Sequence, residues 1–197
     1  MKDFIIASVG GQGGLLATTV LASVFVAAGS DVKTSEVHGM AQRGGTVTSY
    51  VRRAEKVYSP VVPTGEADVI LGLELLEAYR ELPNLKGGGV LLTSDETISP
   101  VPVIMGDAAY PTLTRESFLQ RAGKAYFVPA LAIAREAGNV RASNVAMLGA
   151  LSSLLDGPGE PPVTVWENEV SRLVPKRTVE VNLKAFRAGR EWMEKNR

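Results

Sequence analysis

The sequence contains no cysteine, and this absence excludes several classes of chemistry at once. Without thiols the chain cannot form disulfides, use a cysteine nucleophile or hold an Fe–S cluster with its own ligands. The single histidine, His38, cannot build a Cys/His zinc cage alone. No Ser/His/Asp arrangement with supporting motifs is visible, and neither is an Asp/Glu cluster typical of a metal site. The sequence therefore predicts no catalytic site that is complete within this chain.

A net charge of either sign is also lacking, because 21 Lys and Arg residues balance 21 Asp and Glu residues. Without a basic surplus there is no field to gather phosphate polymers, so we expect no nucleic-acid partner. The longest apolar run, residues 15–28, has fourteen residues and is too short to span a bilayer. The N-terminus lacks a basic region followed by an unbroken apolar stretch, so we expect no signal peptide and no membrane partner. These features indicate a soluble, cytoplasmic protein.

Short apolar runs alternate with helix-forming segments along the 197 residues. We predict strands at residues 4–9, 31–37, 46–53, 67–73, 88–94, 101–106 and 124–129, and helices at residues 14–28, 74–82, 115–123, 130–138, 142–155, 164–173 and 177–195. This alternation is typical of α/β proteins. We expect one three-layer, Rossmann-like domain over residues 1–197, with a largely parallel sheet and helices on both faces.

The sequence GGQGG, residues 10–14, lies between the first predicted strand and the first predicted helix. Glycines permit a tight turn, and the N–H groups of the helical turn that follows can bind an anion or a carbonyl. The dinucleotide fingerprint G-x-G-x-x-G is absent, because Ser8 occupies its first glycine position, and the P-loop lysine is absent as well. Either the loop contacts a ligand or a partner subunit, with Gln12 presented there, or its glycines only let the helix pack tightly on the sheet.

A second polar loop, HGMAQRGG at residues 38–45, contains the only histidine. Glu36 and His38 are two positions apart in a predicted strand, so they face the same side and form an ion pair or a hydrogen bond. Arg43 precedes two glycines, and a guanidinium beside bare backbone can bind a carboxylate or a phosphate. An interface salt bridge is the alternative role for Arg43, and Met40 is assigned to packing.

Three segments together resemble the gamma-type subunit of the 2-oxoacid:ferredoxin oxidoreductases: SVGGQGGLLATTVLA, SEVHGMAQRGGTVTSYVR and ADVILGLELLEA. The sequence HGMAQRGG is similar to the form in the beta subunit of the indolepyruvate branch, which is the equivalent of gamma. Relatives acting on pyruvate or 2-oxoglutarate tend to have Tyr-Gly-Pro-Glu before the Arg-Gly-Gly. The similarity returns at ASNVAMLGAL and VNLKAFRAG, and one departure is Ser8, where the family usually has glycine.

The resemblance implies a small subunit that binds no cofactor itself. Thiamine diphosphate, Mg²⁺ and the Fe–S clusters would lie on a large partner subunit, and coenzyme A would be a co-substrate. The complex would decarboxylate a 2-oxoacid, form an acyl-CoA and pass two electrons to ferredoxin, with the cofactors performing that chemistry. The isolated chain is expected to be inactive, and an apolar patch left exposed in it would favour self-association.

The two loops are expected to lie near each other at the ends of adjacent strands, facing the partner subunit and helping to enclose the coenzyme A or thiamine site. The predicted ligand- or interface-binding residues are Gly10, Gly11, Gln12, Gly13, Gly14, Glu36, His38, Gln42, Arg43, Gly44 and Gly45. Two alternatives remain open. One is a stand-alone nucleotide-binding enzyme, for which Glu36 is the sole candidate ribose-binding acid. The other is an assembly module that contacts no ligand.

Overall fold

The computed structural model describes residues 2–39 and 44–197. The strands of this part of the chain are β1 (Lys2–Val9), β2 (Asp31–His38), β3 (Thr46–Ala54), β4 (Ala67–Gly72), β5 (Leu85–Ser94) and β6 (Lys124–Val128). Its α-helices are α1 (Gly14–Ala27), α2 (Leu75–Glu81), α3 (Val101–Ile104), α4 (Arg115–Leu119), α5 (Ala130–Ala137), α6 (Ser143–Leu154), α7 (Val163–Leu173) and α8 (Val179–Asn196). Single 3₁₀ turns occur at Leu82–Asn84, Val140–Ala142 and Lys176–Thr178.

The strands form one sheet in the order β2-β3-β1-β4-β5-β6. Strands β1, β4, β5 and β6 are parallel, as the alternation of strands and helices predicted. Strand β3 is antiparallel to both of its neighbours, so β2 and β3 form a hairpin at one edge. The prediction of a largely parallel sheet is confirmed, with this antiparallel hairpin as an addition.

Helices cover both faces of the sheet, so alternate side chains of β1 are buried in two different cores. Phe4 and Ile6 point into the larger core, which is formed with α1, α5, α6, α7 and α8. Ile5 points into the smaller core on the other face, formed with α2 and α4. In the larger core the Phe25 ring meets the buried Trp166 ring edge-on, at 6.3 Å between centroids.

Helices α6 and α8 cross at a point where each presents a glycine to the other. A Cβ atom on Gly149 would lie 1.9 Å from the Phe186 carbonyl oxygen, and a Cβ on Gly189 would lie 2.0 Å from the Ala146 carbonyl oxygen. A larger residue at either position would push the helices apart. The tight crossing fixes α6, whose first turn reaches the glycine loop.

The prediction of a strand at residues 101–106 is wrong, since Val101–Ile104 form the short helix α3. Pro100 and Pro102 are accommodated because N–H groups in the first helical turn have no partner within a helix. The Ile104 N–H donates to the Pro100 carbonyl over 3.1 Å and closes the turn. Its apolar side chains are exposed rather than buried in the sheet, Ile104 to 72%. The predicted helix at 115–123 is also shorter and ends at Leu119.

No helix among the described residues is both long enough and apolar enough to cross a membrane.

Candidate functional site

The glycine loop connects the end of β1 to the start of α1. Gly11 and Gly13 have positive φ values, of 105° and 81°, which a side chain would disfavour. Gly14 begins α1 directly against Ser8, because a Cβ on Gly14 would lie 2.3 Å from the Ser8 hydroxyl oxygen. Gly11 and Gly13 allow the turn, and the tight packing of helix on strand predicted for these glycines occurs at Gly14. Contact of the loop with a ligand or a partner subunit stays a prediction.

The side chain of Gln12 is hydrogen-bonded within the protein at both its oxygen and its nitrogen, and it also lines a cleft beside the glycine loop. Its contact with a ligand stays a prediction. Its side-chain oxygen accepts the Val9 N–H over 2.8 Å, and its side-chain nitrogen donates to the Leu73 carbonyl over 3.0 Å. Burial raises the pKa of the neighbouring Glu96 carboxyl, and a hydrogen bond from Gln12 opposes that shift. Gln12 thus ties the glycine loop to the chain that follows β4.

The two glycine-containing loops meet, as predicted. The Gly10 N–H donates to the Gly45 carbonyl over 2.8 Å, and the Gly44 N–H donates to the Gly10 carbonyl over 3.4 Å. The contact arises because β1 and β3 are antiparallel neighbours, with Val9 opposite Thr46. The predicted site residues Gln42 and Arg43, and Met40 with them, lie outside the described residues.

The His38 imidazole contacts the Glu36 carboxylate on one side of β2, as the spacing of the two residues predicted. Glu36 also accepts a hydrogen bond from the Ser49 hydroxyl over 3.3 Å. A dinucleotide site needs its ribose-binding acid at the end of the strand parallel to and beside β1. Glu36 lies instead on the edge strand, separated from β1 by β3. The geometry therefore disfavours the nucleotide-binding alternative.

Asn144, in the first turn of α6, is a site residue that sequence reasoning missed. Its side-chain nitrogen donates to the Gly13 carbonyl over 3.1 Å, and the residue is 4% exposed. A Cβ on Gly13 would lie 2.3 Å from that same nitrogen. The only signal in the sequence was the segment ASNVAMLGAL, where the family resemblance returns.

A cleft of about 580 Å³ lies beside the glycine loop, at the carboxyl ends of the parallel strands. Ligands of open α/β sheets bind at the carboxyl ends of the strands, at the point where the connections from two neighbouring strands run to opposite faces of the sheet. Apolar side chains line part of the wall, and the exposed Arg141 lines another part. The lining residues are Val9, Gly10, Gly11, Gln12, Gly13, Leu16, Gly44, Glu96, Ile98, Leu131, Val140, Arg141, Ser143 and Asn144.

The cleft suits an anionic group more than a metal ion. Helix α1 begins at Gly14 without a side-chain cap, so N–H groups at its positive end remain available on the loop side. Arg141 adds a guanidinium. Within residues 2–39 and 44–197 no group of three or more His, Asp or Glu side chains is arranged to hold a metal ion.

A second, smaller hollow of about 320 Å³ lies on the opposite side of the glycine loop. It joins the loop to the Glu36–His38 pair, since both residues line it together with Gly10, Gly11, Gly13 and Gly14. The structure thus places the described members of the predicted site around one loop, on its two sides.

Glu74 anchors one wall of the cleft. It is fully buried and accepts hydrogen bonds from the Glu77 N–H (2.8 Å), the Ile98 N–H (3.0 Å) and the Tyr110 hydroxyl (2.8 Å). Burial, followed by the hydrogen bond to Glu74, raises the pKa of Tyr110. The bonds from Ile98 and Tyr110 hold the segment after β5 in place, including Ile98 in the cleft wall.

Helix α2 contacts the start of β3, directly after Gly44 and Gly45. Arg80 donates to both the Glu77 carboxylate (2.7 Å) and the Thr46 hydroxyl (3.3 Å), and Thr46 directly follows Gly44 and Gly45. Two residues along β3, the Thr48 hydroxyl donates to the Glu81 carboxylate over 2.8 Å. Glu77 is 4% exposed, and burial raises the pKa of its carboxyl.

The family model described as pyruvate ferredoxin/flavodoxin oxidoreductase matches residues 3–192, almost the whole chain. The chain belongs to this family. The matched residues include the glycine loop and Asn144.

Several curated relatives match from end to end. The chain is 44% identical to indolepyruvate oxidoreductase subunit IorB of Thermococcus kodakarensis, over 96% of this chain and 95% of that protein. It is 34% identical to the subunit of the same name from Methanothermobacter thermautotrophicus, over 95% of each chain. Ketoisovalerate oxidoreductase subunit VorA of the latter organism is 31% identical over 97% of this chain, which corresponds to only 36% of VorA.

Solved structures share the fold. The gamma subunit of a keto/oxoacid ferredoxin oxidoreductase from Geobacter sulfurreducens superposes with a TM-score of 0.73 at 24% identity, over 99% of both chains. A 2-oxoglutarate:ferredoxin oxidoreductase from Magnetococcus marinus gives the same TM-score at 20% identity, over 98% of this chain and 31% of that one. At these identities the likeness shows the α/β fold alone.

Proposed function

We propose that this protein is the small subunit of a 2-oxoacid:ferredoxin oxidoreductase that acts on indolepyruvate or a related aryl pyruvate. The assembled enzyme decarboxylates the oxoacid oxidatively, forms an acyl-CoA and passes electrons to ferredoxin. The observation that carries the proposal is the 44% identity to an indolepyruvate oxidoreductase subunit over nearly the full length of both chains.

The roles proposed for the two subunits come from the family resemblance, and the composition of this chain agrees with them. The chain has no cysteine to hold Fe–S clusters, and its one histidine is paired with Glu36. The family resemblance implies that thiamine diphosphate, Mg²⁺ and the clusters lie on a large partner subunit, where they would supply the carbanion and electron-transfer chemistry. The role proposed for this chain is to shape and close one side of that site.

The cleft beside the glycine loop is the surface proposed for this role. The uncapped start of α1 and the Arg141 guanidinium suit the phosphate or carboxylate of coenzyme A or the oxoacid. Arg43 is proposed to add a second guanidinium, because it directly precedes the Gly44-Gly45 turn that meets Gly10. Gln12 and Asn144 hold the loop and leave its N–H groups to the ligand.

Co-expression with the partner tests the proposal. The chain should co-purify with a large brown Fe–S protein, and the complex should reduce a viologen dye when indolepyruvate and coenzyme A are supplied. The isolated chain should be colourless and should show no turnover. Turnover by the isolated chain would refute the subunit assignment.

Two further measurements address the alternatives. Calorimetric titration of the isolated chain with NAD or ATP should detect no binding, whereas tight binding would favour a nucleotide enzyme. Substituting Arg141→Ala in the complex should raise the Michaelis constant of coenzyme A or of the oxoacid. Unchanged constants for both, together with unchanged constants on Arg43→Ala, would favour an assembly module.

A further inference from the structure

Helix α1 has an exposed face without charge, which is unusual for a helix at a protein surface. Its sequence, GLLATTVLASVFVA, contains no charged residue. Leu15, Thr19 and Val26 are exposed on one face of the helix, Leu15 to 63% and Val26 to 58%. The outer face of a surface helix normally carries charged residues, so an exposed face that has none and includes Leu15 and Val26 is expected to be covered by another surface.

Strand β2 lies beside this face and forms the edge of the sheet. It pairs with β3 through all eight residues without a bulge, and it contains no proline. Gly39 donates to the Thr46 carbonyl over 3.1 Å. Because hydrogen-bonded pairs alternate in an antiparallel ladder, the odd-numbered residues of β2 bond to β3. The backbone groups of Val32, Thr34, Glu36 and His38 therefore point outward from the sheet, as a second strand would require.

We propose that two copies of this chain associate through β2, antiparallel, about a two-fold axis at Ser35. The axis is normal to the sheet, so each face of the sheet continues across the junction and the uncharged faces of both α1 helices lie on the same side. In this geometry the outward-pointing N–H and C=O groups of β2 in one copy hydrogen-bond to the C=O and N–H groups of β2 in the other copy.

The charges on β2 select the register. A two-fold axis normal to the sheet places even-numbered residues of one copy opposite even-numbered residues of the other, and odd-numbered residues opposite odd-numbered ones. Centring it on Lys33 would place two like charges directly opposite each other, which is destabilising. Centring it on Thr34 would place the Glu36 carboxylate against Val32 and the Asp31 carboxylate against Val37.

Centring the axis on Ser35 avoids these contacts. Thr34 then lies opposite Glu36 of the second copy, where a hydroxyl can donate to a carboxylate. Lys33 lies opposite Val37 of the second copy, which is 55% exposed in the single chain and can be covered by the lysine's methylene stem. Two serine side chains remain on the axis.

The groove between α1 and β2 supports a second copy as the occupant. It measures about 380 Å³, and its lining residues are Leu15, Thr18, Thr19, Ala22, Ser23, Val26, Thr34, Ser35 and Glu36. Glu36 is the one charged group among them, and it is already paired with His38. At the border, Arg172 reaches Ser23 and is paired with Glu169 over 2.5 Å. Two such grooves can adjoin without burying an unpaired charge.

The absence of native cysteine makes a disulfide test unambiguous. In the proposed register the two Ser35 residues form a non-hydrogen-bonded pair with Cα atoms about 4.5 Å apart, within the range of a disulfide. Ser35→Cys should therefore form a covalent dimer under mild oxidation. At about 10 µM protein it should do so about 100-fold faster than the exposed control Ser99→Cys, since the paired thiols have an effective concentration near millimolar. Thr34→Cys should cross-link much more slowly than Ser35→Cys.

A charge-reversal pair tests the same axis without oxidation. Ser35→Lys and Ser35→Glu should each be monomeric by light scattering, and an equimolar mixture should form dimers. Unchanged thermal unfolding of each variant would show that the fold is retained. Cross-linking of Ser35→Cys no faster than that of Ser99→Cys would overturn the proposal, and so would a dimer that survives Ser35→Lys.

The assembled enzyme provides a further test. In complex with the large subunit, Ser35→Cys should still link two copies of this chain. If cross-linking is lost on assembly, the β2 edge belongs to the large subunit and the proposal is wrong. The subunit function proposed above would stand in that case.

Discussion

The side chain of Asn144 donates a hydrogen bond to the carbonyl of Gly13 over 3.1 Å, although 131 residues separate them in sequence. The bond joins the first turn of α6 to the residue that precedes α1. Both residues also line the cleft beside the loop. The shape of this cleft therefore depends on how the later helices pack as well as on the glycine loop.

Substituting Gly13→Ala should destabilise the protein more than Gly11→Ala. Both positions have positive φ, which costs a residue with a side chain about 1–2 kcal/mol. A Cβ at Gly13 would also meet the Asn144 side chain, whereas one at Gly11 has no neighbour within 4 Å. Overpacking adds about 1–3 kcal/mol at Gly13 alone. Urea unfolding of the two variants measures the difference, and equal losses would show that Asn144 moves aside freely.

Substituting Asn144→Ala should lower the free energy of unfolding by about 1–3 kcal/mol, because the Gly13 carbonyl loses its buried donor. Asn144→Asp should be worse at pH 7, since it places a carboxylate against that carbonyl. Repulsion and burial would raise the pKa of the new carboxyl in the folded state, so lowering the pH should restore stability. Urea unfolding at pH 5 and pH 7 tests this, and a pH-independent difference between Asp and Ala would contradict it.

Substituting Glu77→Gln should change how stability depends on pH. Burial raises the folded-state pKa of Glu77 above the unfolded value, so the folded state binds more protons once the pH exceeds that unfolded value of about 4.5. The contribution of Glu77 to stability is then fully present below the unfolded pKa and is lost as pH rises through the folded pKa. The stability of Glu77→Gln relative to the native protein should therefore increase with pH over this window. A constant difference across urea-unfolding measurements from pH 4.5 to 7 would contradict the shift.

Substituting Arg43→Ala should weaken binding of coenzyme A or of the oxoacid by about 1.5–3 kcal/mol, roughly 10- to 150-fold, if the guanidinium binds an anionic group. Arg43→Lys keeps the charge but not the two-pronged geometry, so it should recover only part of the loss. Co-purification with the partner should be nearly unchanged.

The opposite pattern would assign Arg43 to the subunit interface. In that case Arg43→Ala should fail to co-purify, and whatever complex remains should have normal Michaelis constants. Measuring the Michaelis constants for coenzyme A and oxoacid together with the pull-down yield separates the two roles. Normal Michaelis constants together with a normal pull-down yield would refute both the ligand role and the interface role.

Local sequence patterns were sufficient for most elements of the fold. The apolar run before GGQGG and the longer run after it predicted β1 and α1, because strand and helix lengths differ and glycines mark the turn between them. The spacing of Glu36 and His38 predicted their pairing, since strand side chains alternate between faces. The pattern failed at 101–106, where a β-branched run interrupted by Pro102 forms an exposed helical turn.

The tertiary structure alone decided which groups around the glycine loop remain available to a ligand. The side-chain amide of Gln12 is bonded to β1 and to the chain after β4. The Asn144 side chain, from helix α6 far along the sequence, donates to the Gly13 carbonyl. Strand order likewise removed Glu36 from the position of a ribose-binding acid, because β3 lies between β2 and β1. A sequence determines local conformation through backbone preferences and side-chain periodicity. Hydrogen bonds between distant residues depend on how the whole sheet and its helices pack, and no local pattern encodes that packing.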